Sequence, residues 1–364
     1  MKLLVANLTG GGLSGGYVKY LNKLLPLLQA DTRISKLDVF VPAPSVSRVN
    51  FRVHPLEMRA MLPYRGLGCR FKELRPDVVF IPMAHWVDCG EIPTVVMFHN
   101  MEPLVAPFRG NPISECGKNL GRMVLARRAS RHATRVIAVS EFVRNFLTTE
   151  WKVPASTIGV VYHGMEAPMS PQEAAAPGIL RDLQRPFFFT AGSIRPARGL
   201  EDAVRALVHL PALRDHLLVV AGVAPAPLTY QQQVTATARR LGVVDRLIWA
   251  GHLTPPEMSW CYYHCAAFIM TSRVEACPIT VLEAMAHGCP CVSTNCPPMP
   301  EFFGDSALYY SPGDAFQLAD RLGHLRDSQD EASRLRRRTV ERALLFSWER
   351  TASRTIEEIQ SALH

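Results

Sequence analysis

Short apolar runs alternate with segments of helical periodicity along the whole chain. The runs are rich in valine, isoleucine, leucine and phenylalanine, and each is followed by a glycine, a proline or a polar residue. Continuous apolar runs of this kind are typical of parallel strands that are buried on both faces. The predicted strands lie at 3–8, 36–41, 78–81, 94–98, 136–139 and 159–162, and then at 187–191, 217–221, 247–250, 267–270 and 291–293.

Apolar residues in the intervening segments recur at intervals of three and four, which indicates amphipathic helices. The clearest example is the segment 17–28, in which the recurring residues are Val18, Leu21, Leu24, Leu25 and Leu28. Further helices are predicted at 200–207, 229–241 and 280–287, and the last of them ends at Gly288. The alternation of strands and helices predicts the α/β class, with two Rossmann-like doubly wound domains.

The segment 166–186 differs from its surroundings because it is rich in proline. We interpret it as a linker between two domains at 1–165 and 187–345. We expect the remaining segment, 346–364, to be a C-terminal helix that returns to the N-terminal domain. A length of 364 residues, 48% of them apolar, is enough for two domains that each bury a core.

The chain is basic, with 40 lysines and arginines against 32 acids and a net charge of +8. The segment 118–135 concentrates this charge, since it holds no acid and contains Lys118, Arg122, Arg127, Arg128, Arg131 and Arg135. Apolar residues are interspersed, so the segment is either a basic amphipathic helix that docks on an anionic membrane or a solvated helix face. It holds no aromatic residue, which speaks against a nucleic-acid-binding surface, and nucleic acid is not expected as a partner.

The nine cysteines include no C-x-x-C pair, so neither a zinc site nor a disulfide framework is predicted. The N-terminal apolar run reaches its glycines too early for a secretion signal. No apolar run approaches the ~20 residues that span a bilayer. We therefore expect a protein of the reducing cytoplasm, either free or attached peripherally to the inner face of the membrane.

A glycine-rich turn follows the first strand, and Gly10, Gly12 and Gly15 have the G-x-G-x-x-G spacing of dinucleotide-binding turns. That motif also requires an acid at the end of the second strand, where this chain has Val41, so a nicotinamide enzyme is disfavoured. The segment 12–16 matches G-x-S-x-G, but a nucleophilic serine belongs after a later, central strand. Two interpretations remain, a tight packing turn or a close approach to an anion or a sugar, and the number of glycines favours the second.

Glu275 and Glu283 are separated by seven residues, the first after a predicted strand and the second on a predicted helix. Carboxyl ends of parallel strands are where such sheets bind ligands. The backbone amides of Ile279 and Thr280 would open that helix and face an anion. One carboxylate near a sugar, one near a ribose and amides on a diphosphate between them form a chemically coherent site.

These glutamates belong to a longer motif. The chain reads T-S-R-V-E at 271–275, L-E-A-M-A-H-G-C-P at 282–290, P-E at 300–301 and G-D-S-A at 304–307. The series closely resembles the donor-site signature of glycosyltransferase family 4. Further similar segments are G-G at 15–16, V-S at 139–140, V-Y-H-G-M at 161–165, G-H-L at 251–253 and F-S-W-E-R at 346–350, so the resemblance covers most of the chain. It implies the GT-B fold, in which two Rossmann-like domains face each other across a cleft.

The resemblance also implies individual roles. Glu275 would contact the hydroxyls of the transferred sugar, Glu283 would bind the nucleotide ribose, and His99 would lie near the sugar. The family's phosphate-binding segment corresponds to 192–199, where Arg198 stands at the position of a lysine. The other donor-binding positions that the resemblance implies are Gly15, Gly16, Gly251, His252, Leu253, Cys277, Ile279 and Thr280.

The chain departs from the family pattern at two places. Ser193 stands where the family usually has an arginine, and we expect Arg195 to supply the missing cation through charge-assisted hydrogen bonds. Pro278 interrupts a stretch that is usually glycine-rich, and it removes one N–H group from the loop that would face the sugar. Both departures bear on which donor sugar the site accepts.

The implied activity is retaining transfer of a hexose or deoxyhexose from a nucleotide-diphosphate sugar to a hydroxyl group. The acceptor would be lipid-linked or a polysaccharide, as in the synthesis of bacterial-type cell-surface glycans, with the donor in the C-terminal domain and the acceptor in the N-terminal one. Neither a cofactor nor a metal ion is expected, because arginines would offset the diphosphate charge. Two alternatives stay open: a GT-B-type nucleotide-sugar epimerase or phosphorylase, and a basic nucleic-acid-binding protein.

Overall fold

The computed structural model of the chain describes residues 1–8, 15–56, 66–105, 110–209, 214–224 and 229–364. The chain divides into two compact units. The first comprises Met1–Pro107, Ile113–Gly164 and Ser347–His364, and the second is built chiefly from Met165–Phe346. Each unit has its own parallel sheet with helices in the connections between strands, as in doubly wound Rossmann-like folds. The predicted α/β class is therefore confirmed.

Within the described ranges, seven parallel strands form the sheet of the first unit, in the order β3-β2-β1-β4-β5-β6-β7. They are β1 (Lys2–Ala6), β2 (Lys36–Pro42), β3 (His54–Leu56), β4 (Val78–Ile81), β5 (Thr94–Phe98), β6 (Arg135–Ala138) and β7 (Ile158–Val160). Every residue of β4 and β5 is buried, which is why both strands are continuous apolar runs in the sequence. The strand order changes direction between β1 and β4.

The helices that connect these strands are α1 (Gly15–Ala30), α2 (Leu67–Glu73), α3 (Glu102–Val105), α4 (Ile113–His132) and α5 (Glu141–Thr149). α5 begins directly after Ser140, whose hydroxyl accepts a hydrogen bond from the Val143 N–H at 3.3 Å. This is a standard helix N-cap, and it fixes the point at which the chain leaves β6 and turns into the helix.

The sheet of the second unit has six parallel strands among the residues described, in the order β10-β9-β8-β11-β12-β13. They are β8 (Phe187–Ala191), β9 (Leu217–Ala221), β10 (Leu247–Gly251), β11 (Ala267–Met270), β12 (Cys291–Thr294) and β13 (Ala307–Tyr310). Its helices are α6 (Leu200–Val208), α7 (Thr229–Arg240), α8 (Pro255–His264), α9 (Ile279–Ala286), α10 (Met299–Phe303), α11 (Ala315–Asp327) and α12 (Gln329–Ala343). The strand order changes direction between β8 and β11.

The last helix, α13 (Trp348–Gln360), belongs to the first unit. The Thr351 hydroxyl donates to the carbonyl of Tyr162 at 2.8 Å. Arg135, at the start of β6, forms an ion pair with Glu358. These contacts and the packing of α13 against α1 attach the C-terminal segment to the first sheet.

The strand predictions fail at one edge of each sheet. The sequence does not predict β3, whose Pro55 speaks against a strand, but β3 is an edge strand in which a missing N–H is tolerated. The sequence also does not predict β13, which is an edge strand of the second sheet. β7 ends at Val160 rather than at residue 162, because its pairing with β6 ends where Ala138 faces Val160.

The basic segment 118–135 lies mostly on α4, although its last residue, Arg135, opens β6. Glu115, one turn earlier, pairs with Lys118 at 3.4 Å and with Arg122 at 2.6 Å. Small or polar residues face the protein, namely Asn119, Ala126, Ala129 and Ser130, while the large apolar ones are exposed: Ile113 (92%), Leu120 (46%) and Val124 (61%). Among the helices of the described ranges, none is long and apolar enough to cross a bilayer.

Candidate functional site

Two loops meet at the switch point of the second sheet. One follows β8 and holds residues 192–199, and the other follows β11 and holds residues 271–278. β8 and β11 are hydrogen-bonded neighbours, so the two loops leave the sheet side by side at its carboxyl edge. This is the place where doubly wound sheets bind their ligands.

An ion pair between Arg198 and Glu275 joins the two loops. Nη1 of Arg198 lies 3.0 Å from Oε1 of Glu275 and 3.2 Å from Oγ of Ser272. The Ser272 hydroxyl donates to the same carboxylate oxygen at 3.0 Å. The two charged side chains are only 17% and 19% exposed, so solvent screens them less than a surface pair. The structure thus brings together the residues predicted to bind phosphate and sugar.

Glycines end three neighbouring strands at this edge: Gly192 after β8, Gly222 after β9 and Gly251 in β10. All three have positive φ angles, of 134°, 134° and 67°. A Cβ on Gly192 would lie 2.0 Å from Nη2 of Arg198, and one on Gly222 would lie 1.9 Å from the carbonyl oxygen of Gly192. Because these glycines have no side chains, the backbone at this edge is not covered, and the guanidinium of Arg198 lies directly over it.

Helix α9 starts beside the Glu275 loop, with Pro278 as its N-cap and Ile279 and Thr280 in its first turn. The Val281 N–H already donates to the carbonyl of Pro278. Within the described residues, Oγ1 of Thr280 is buried and makes no hydrogen bond. The helix N-terminus adds a positive partial charge to this edge.

Glu283 lies in the second turn of α9, and one of its carboxylate oxygens, Oε2, accepts a hydrogen bond from the Tyr262 hydroxyl at 2.9 Å. Tyr262 is buried on α8, and burial, together with the nearby carboxylate, raises the pKa of its hydroxyl well above the ordinary value. The tyrosine therefore remains a hydrogen-bond donor, and it holds one oxygen of Glu283 in place.

The other residues predicted for the donor site lie along the same edge of the second sheet. Nε of Arg195 donates to Oγ of Ser193 at 3.2 Å, so these two residues hold each other in the loop after β8. After β10, His252 is exposed and Leu253 is buried. Cys277 is buried in the loop between Glu275 and α9.

His99 follows β5 at the carboxyl edge of the first sheet. Its Nδ1 lies 3.0 Å from Nε2 of His163, and the two rings are stacked with centroids 4.9 Å apart. The rings of Tyr17 and Tyr20 contact His99 edge-on, at 5.3 and 4.7 Å between centroids. The predicted sugar-binding histidine is therefore part of an aromatic cluster, which the sequence did not predict.

Burial lowers the pKa of both histidines, to about 3 for His163, and the proximity of His163 lowers that of His99 further. Both imidazoles are consequently neutral at pH 7. A neutral imidazole has one donor and one acceptor nitrogen, so the shared hydrogen bond requires one ring to donate and the other to accept.

Gly15 and Gly16 open α1 in the first unit, and Tyr17 of the same turn donates to the carbonyl of Pro82. Gly10 and Gly12 of the predicted glycine-rich turn lie outside the described residues. Of the glycines in the predicted turn, the structure describes only Gly15 and Gly16, which stand where a helix begins.

Apart from Cys277, the cysteines lie outside the two loops at 192–199 and 271–278. All nine are free thiols, and Cys265 and Cys289 have their sulfurs 4.0 Å apart in the interior of the second unit. In the portion of the chain that the structure describes, no three histidine, cysteine or acidic side chains are grouped as metal ligands. Burial raises the pKa of the Cys289 and Cys291 thiols, which makes them poor nucleophiles.

Sequence reasoning missed Ser272, Tyr262 and His163 as partners of the predicted site residues. Ser272 has a local signal, because it stands three residues before Glu275 on the same loop. Tyr262 and His163 have none, since each meets its partner through tertiary packing rather than through spacing in the sequence.

Family models match both halves of the chain. A model described as "Glycosyl transferases group 1" matches residues 172–343, and one described as "Glycosyltransferase Family 4" matches residues 30–167. The two matches together take in most of the chain, with the first on the second unit and the second on the first unit.

Two curated relatives are similar over about two thirds of the chain. An MMP α-(1→4)-mannosyltransferase of Mycolicibacterium hassiacum is 26% identical over 252 residues, which are 67% of this chain and 58% of that protein. The O-antigen chain mannosyltransferase B of Escherichia coli is 24% identical over 234 residues, 62% of this chain and 60% of its own length. The matched part thus spans about three fifths of each relative.

Solved structures are similar over the whole chain. The Anabaena HepE protein in complex with UDP-glucose superposes with a TM-score of 0.79 at 16% identity, covering 99% of this chain and 100% of that one. WaaG, a glycosyltransferase involved in lipopolysaccharide biosynthesis, gives a TM-score of 0.73 at 14% identity, with 98% and 99% covered. At these identities the likeness concerns the fold.

Proposed function

Because the chain belongs to glycosyltransferase family 4 and has the GT-B fold, we propose that it is a retaining glycosyltransferase that uses a nucleotide-diphosphate sugar. It would move a hexose or deoxyhexose to a hydroxyl group of a lipid-linked or polysaccharide acceptor in the synthesis of cell-surface glycans. The observation that carries the proposal is the cluster of Arg198, Glu275 and Ser272 at the switch point of the second sheet.

The donor diphosphate would bind where positive charge is concentrated at this edge. Arg198 offers its guanidinium over the open backbone of Gly192, and the N-terminus of α9 offers amides at Ile279 and Thr280. Arg195, held by Ser193, is close enough in the chain to add a second cation. The HepE structures in complex with UDP and UDP-glucose support a nucleotide-sugar donor for this fold.

The remaining parts of the donor would follow from the diphosphate position. Glu283, with one oxygen held by Tyr262, would contact the ribose hydroxyls. The segment 251–253 would contact the base, and Cys277 would lie beside the sugar. His99, at the sheet edge of the first unit, would hydrogen-bond a sugar hydroxyl, and the opening turn of α1 at 15–16 lies at the same edge.

The reaction breaks the bond between the anomeric carbon and the phosphate oxygen and forms one between that carbon and the acceptor oxygen. The proton of the acceptor hydroxyl passes to the departing phosphate, so atoms and charge balance. Arg198 and the start of α9 would stabilise the charge that collects on the leaving diphosphate, in place of a metal ion. Glu275 would stabilise the positive charge at the anomeric carbon, and attack from the side of the leaving group gives retention.

The Arg198–Glu275 ion pair gives donor binding a second consequence. The diphosphate competes with Glu275 for the guanidinium, since both are anions that need the same donors. A bound diphosphate would therefore release Glu275 from Arg198 and leave its carboxylate available to the sugar. Glu275 would thus become available to the sugar only when the donor is bound.

We also propose that α4 attaches the protein to the anionic inner face of a membrane. Its exposed surface combines the apolar side chains of Leu120 and Val124 with the cations Arg127 and Arg131. Exposed apolar side chains would enter the headgroup layer while the cations bind anionic lipid. Such attachment would bring the active site to a lipid-linked acceptor.

The test is a thermal-shift screen of the whole chain against uridine, guanosine, adenosine and thymidine diphosphates and their sugars. A ligand that binds only the folded state raises Tm. At a ligand concentration 100 times Kd, binding adds about 2.7 kcal/mol to the free energy of unfolding. We expect one nucleotide diphosphate and its sugar to raise Tm in the wild type, and the same concentration to give a smaller shift in an Arg198→Met variant. Unchanged Tm of the wild type with every compound contradicts the proposal.

A further inference from the structure

Arg273, two residues before Glu275, points into the second unit and not towards the ligand edge. Its Nη2 lies 2.7 Å from Oδ1 of Asp202, and its Nη1 lies 2.7 Å from Oδ2. Asp202 is fully buried in the first turn of α6, and the arginine side chain is 15% exposed. The pair is a fork of two close N···O contacts between a planar guanidinium and a carboxylate, of which the contact from Nη2 is a hydrogen bond and the contact from Nη1 is an ion-pair contact. Such a fork fixes direction as well as distance.

Asp202 also accepts two further hydrogen bonds. The Tyr310 hydroxyl lies 3.2 Å from Oδ2, and the Gly313 N–H donates to the same oxygen at 2.9 Å. Both donors belong to the end of β13 and the loop that follows it. The carboxylate therefore ties Arg273 to α6 and to the edge of the sheet, which are both firmly packed parts of the second unit.

The backbone around Arg273 is joined to the phosphate loop as well. Its N–H donates to the carbonyl of Ala197 at 2.8 Å, and the Thr271 hydroxyl donates to the carbonyl of Arg198 at 2.5 Å. Gly199 has a positive φ of 59°, and a Cβ there would lie 2.7 Å from the carbonyl oxygen of Thr271. The loop that carries Glu275 and the loop that carries Arg198 thus lie in direct contact.

We propose that Arg273 is a positioning residue: its fork to Asp202 fixes the loop so that Glu275 is held at a set distance from Arg198. The inference rests on the proposed function, because it concerns where that function's carboxylate stands. Arg273 itself touches neither the sugar nor the diphosphate in this account. Its contribution is the geometry of the loop between the two groups that do.

Stability alone does not account for such a pair. Burying two charges costs desolvation free energy, and replacing a buried ion pair by uncharged residues of similar volume is often neutral or stabilising. What uncharged residues lack is the directional two-point contact. In a site where a displacement of about 1 Å can cost on the order of 100-fold in rate, that contact affects turnover more than folding.

The experiment compares the wild type with the double variant Arg273→Met/Asp202→Asn. The asparagine keeps an acceptor for Tyr310 and Gly313, and no buried charge remains, so the variant is expected to fold with Tm close to that of the wild type. We expect kcat for transfer to fall roughly 10–100-fold while Kd for the nucleoside diphosphate changes less than about threefold. Hydrogen exchange of the backbone amides at 271–276 should become faster.

Two further variants complete the comparison. Arg273→Lys keeps the charge pair but replaces two contacts by one, and it should lower kcat by roughly 3–10-fold with Tm unchanged. The control Arg135→Met/Glu358→Gln removes an ion pair of the first unit whose side chains are 18% and 19% exposed, and it should leave kcat unchanged. Because the lysine variant keeps both charges, it tests the inference even if the double variant does not fold.

Normal kcat in a folded double variant, or in the lysine variant, overturns the positioning role. So does unchanged hydrogen exchange at 271–276. If the wild type binds no nucleotide diphosphate and transfers no sugar, the proposed function fails by itself, and faster exchange in the variant would still show that the fork orders the loop. The two failures are therefore distinguishable.

Discussion

The carboxyl edges of the two sheets carry opposite kinds of side chains. In the second unit the edge is charged, with Arg198 and Glu275 in contact over open glycine backbone. In the first unit the corresponding edge is neutral, with His99 stacked on His163 and both enclosed by tyrosine rings. The same sheet topology thus supports an anion site in one unit and an uncharged, ring-lined site in the other.

The difference follows from what surrounds each group. Arg198 and Glu275 form an ion pair, with Ser272 as a further partner. Burial is the chief cause that lowers the pKa of His99 and of His163, and both imidazoles are neutral as a result. A charged edge suits a diphosphate, and a neutral one suits sugar hydroxyls.

The largest effect is expected when the carboxylate of Glu275, at the charged edge of the second sheet, is removed. Glu275→Gln should lower the transfer rate roughly 100–1000-fold, the scale seen when one group that stabilises a transition state is lost. The rate is measured as release of the nucleoside diphosphate, with the donor that the thermal-shift screen selects and a lipid-linked glycan fraction as acceptor. Glu331→Gln, which breaks another Arg–Glu pair of the second unit, serves as the control and should keep wild-type rates.

The next largest effect is expected when the guanidinium of Arg198, at the same edge, is removed. Arg198→Met should weaken nucleoside-diphosphate binding by about 1.5–3 kcal/mol, roughly 10–100-fold in Kd, since a charge-assisted hydrogen bond to the ligand is lost. Isothermal titration calorimetry measures the change, and Arg334→Met on α12 is the matched control. Equal affinities for the wild type and the Arg198 variant would place the diphosphate elsewhere.

Lowering the pH tests whether the histidines of the neutral edge are uncharged in the folded protein. The pKa of His163 is about 3 in the folded protein, and burial also lowers the pKa of His99 well below its usual value. In the unfolded chain these histidines take up protons near pH 6.5. The free energy of unfolding therefore has its full value above that pH and declines as the pH falls towards 4. Each histidine should contribute up to about 1.4 kcal/mol per pH unit in this window.

Urea unfolding at about pH 7 and about pH 5 checks this loss of stability. In His163→Asn one of these titrations is removed, so the fall in unfolding free energy between the two pH values should be smaller than in the wild type. An equal fall in both proteins would mean that His163 is protonated in the folded state, contrary to the account of the neutral edge.

The smallest expected effect concerns the exposed face of α4. Arg127→Gln and Arg131→Gln should each weaken binding to vesicles that contain phosphatidylserine by about 1 kcal/mol, and added salt should weaken binding of the wild type. Co-sedimentation with these vesicles and with phosphatidylcholine vesicles measures it. Arg337→Gln on α12 is the control, and equal binding to neutral vesicles would speak against an anionic lipid partner.

The sequence predicted the central strands of both sheets because buried parallel strands are apolar throughout. Two of the four edge strands, β3 and β13, escaped it, and Pro55 accounts for the first of them, whereas β7 and β10 at the other two edges were predicted. Glu275 could be found because it follows a predicted strand of a doubly wound fold, and Arg198 because the segment 192–199 resembles the family's phosphate-binding segment. Their direct contact was a structural finding.

Contacts made through packing could not be predicted in this way. Tyr262 reaches Glu283 from a different helix, and Asp202 meets Arg273 across 71 positions of the chain. In the first unit, His163 meets His99 across 64 positions. Nothing in the local pattern of hydrophobic and polar residues specifies such pairs, because each depends on how two elements pack.

The most direct measurement is calorimetric binding of the nucleoside diphosphate to Glu275→Gln beside the wild type. If Glu275 and the diphosphate compete for Arg198, loss of the carboxylate frees the guanidinium and removes a repulsive charge, so binding should become tighter by about tenfold, or about 1.4 kcal/mol. Transfer should be lost in the same variant. Unchanged or weaker binding would contradict a diphosphate site at the Arg198–Glu275 pair.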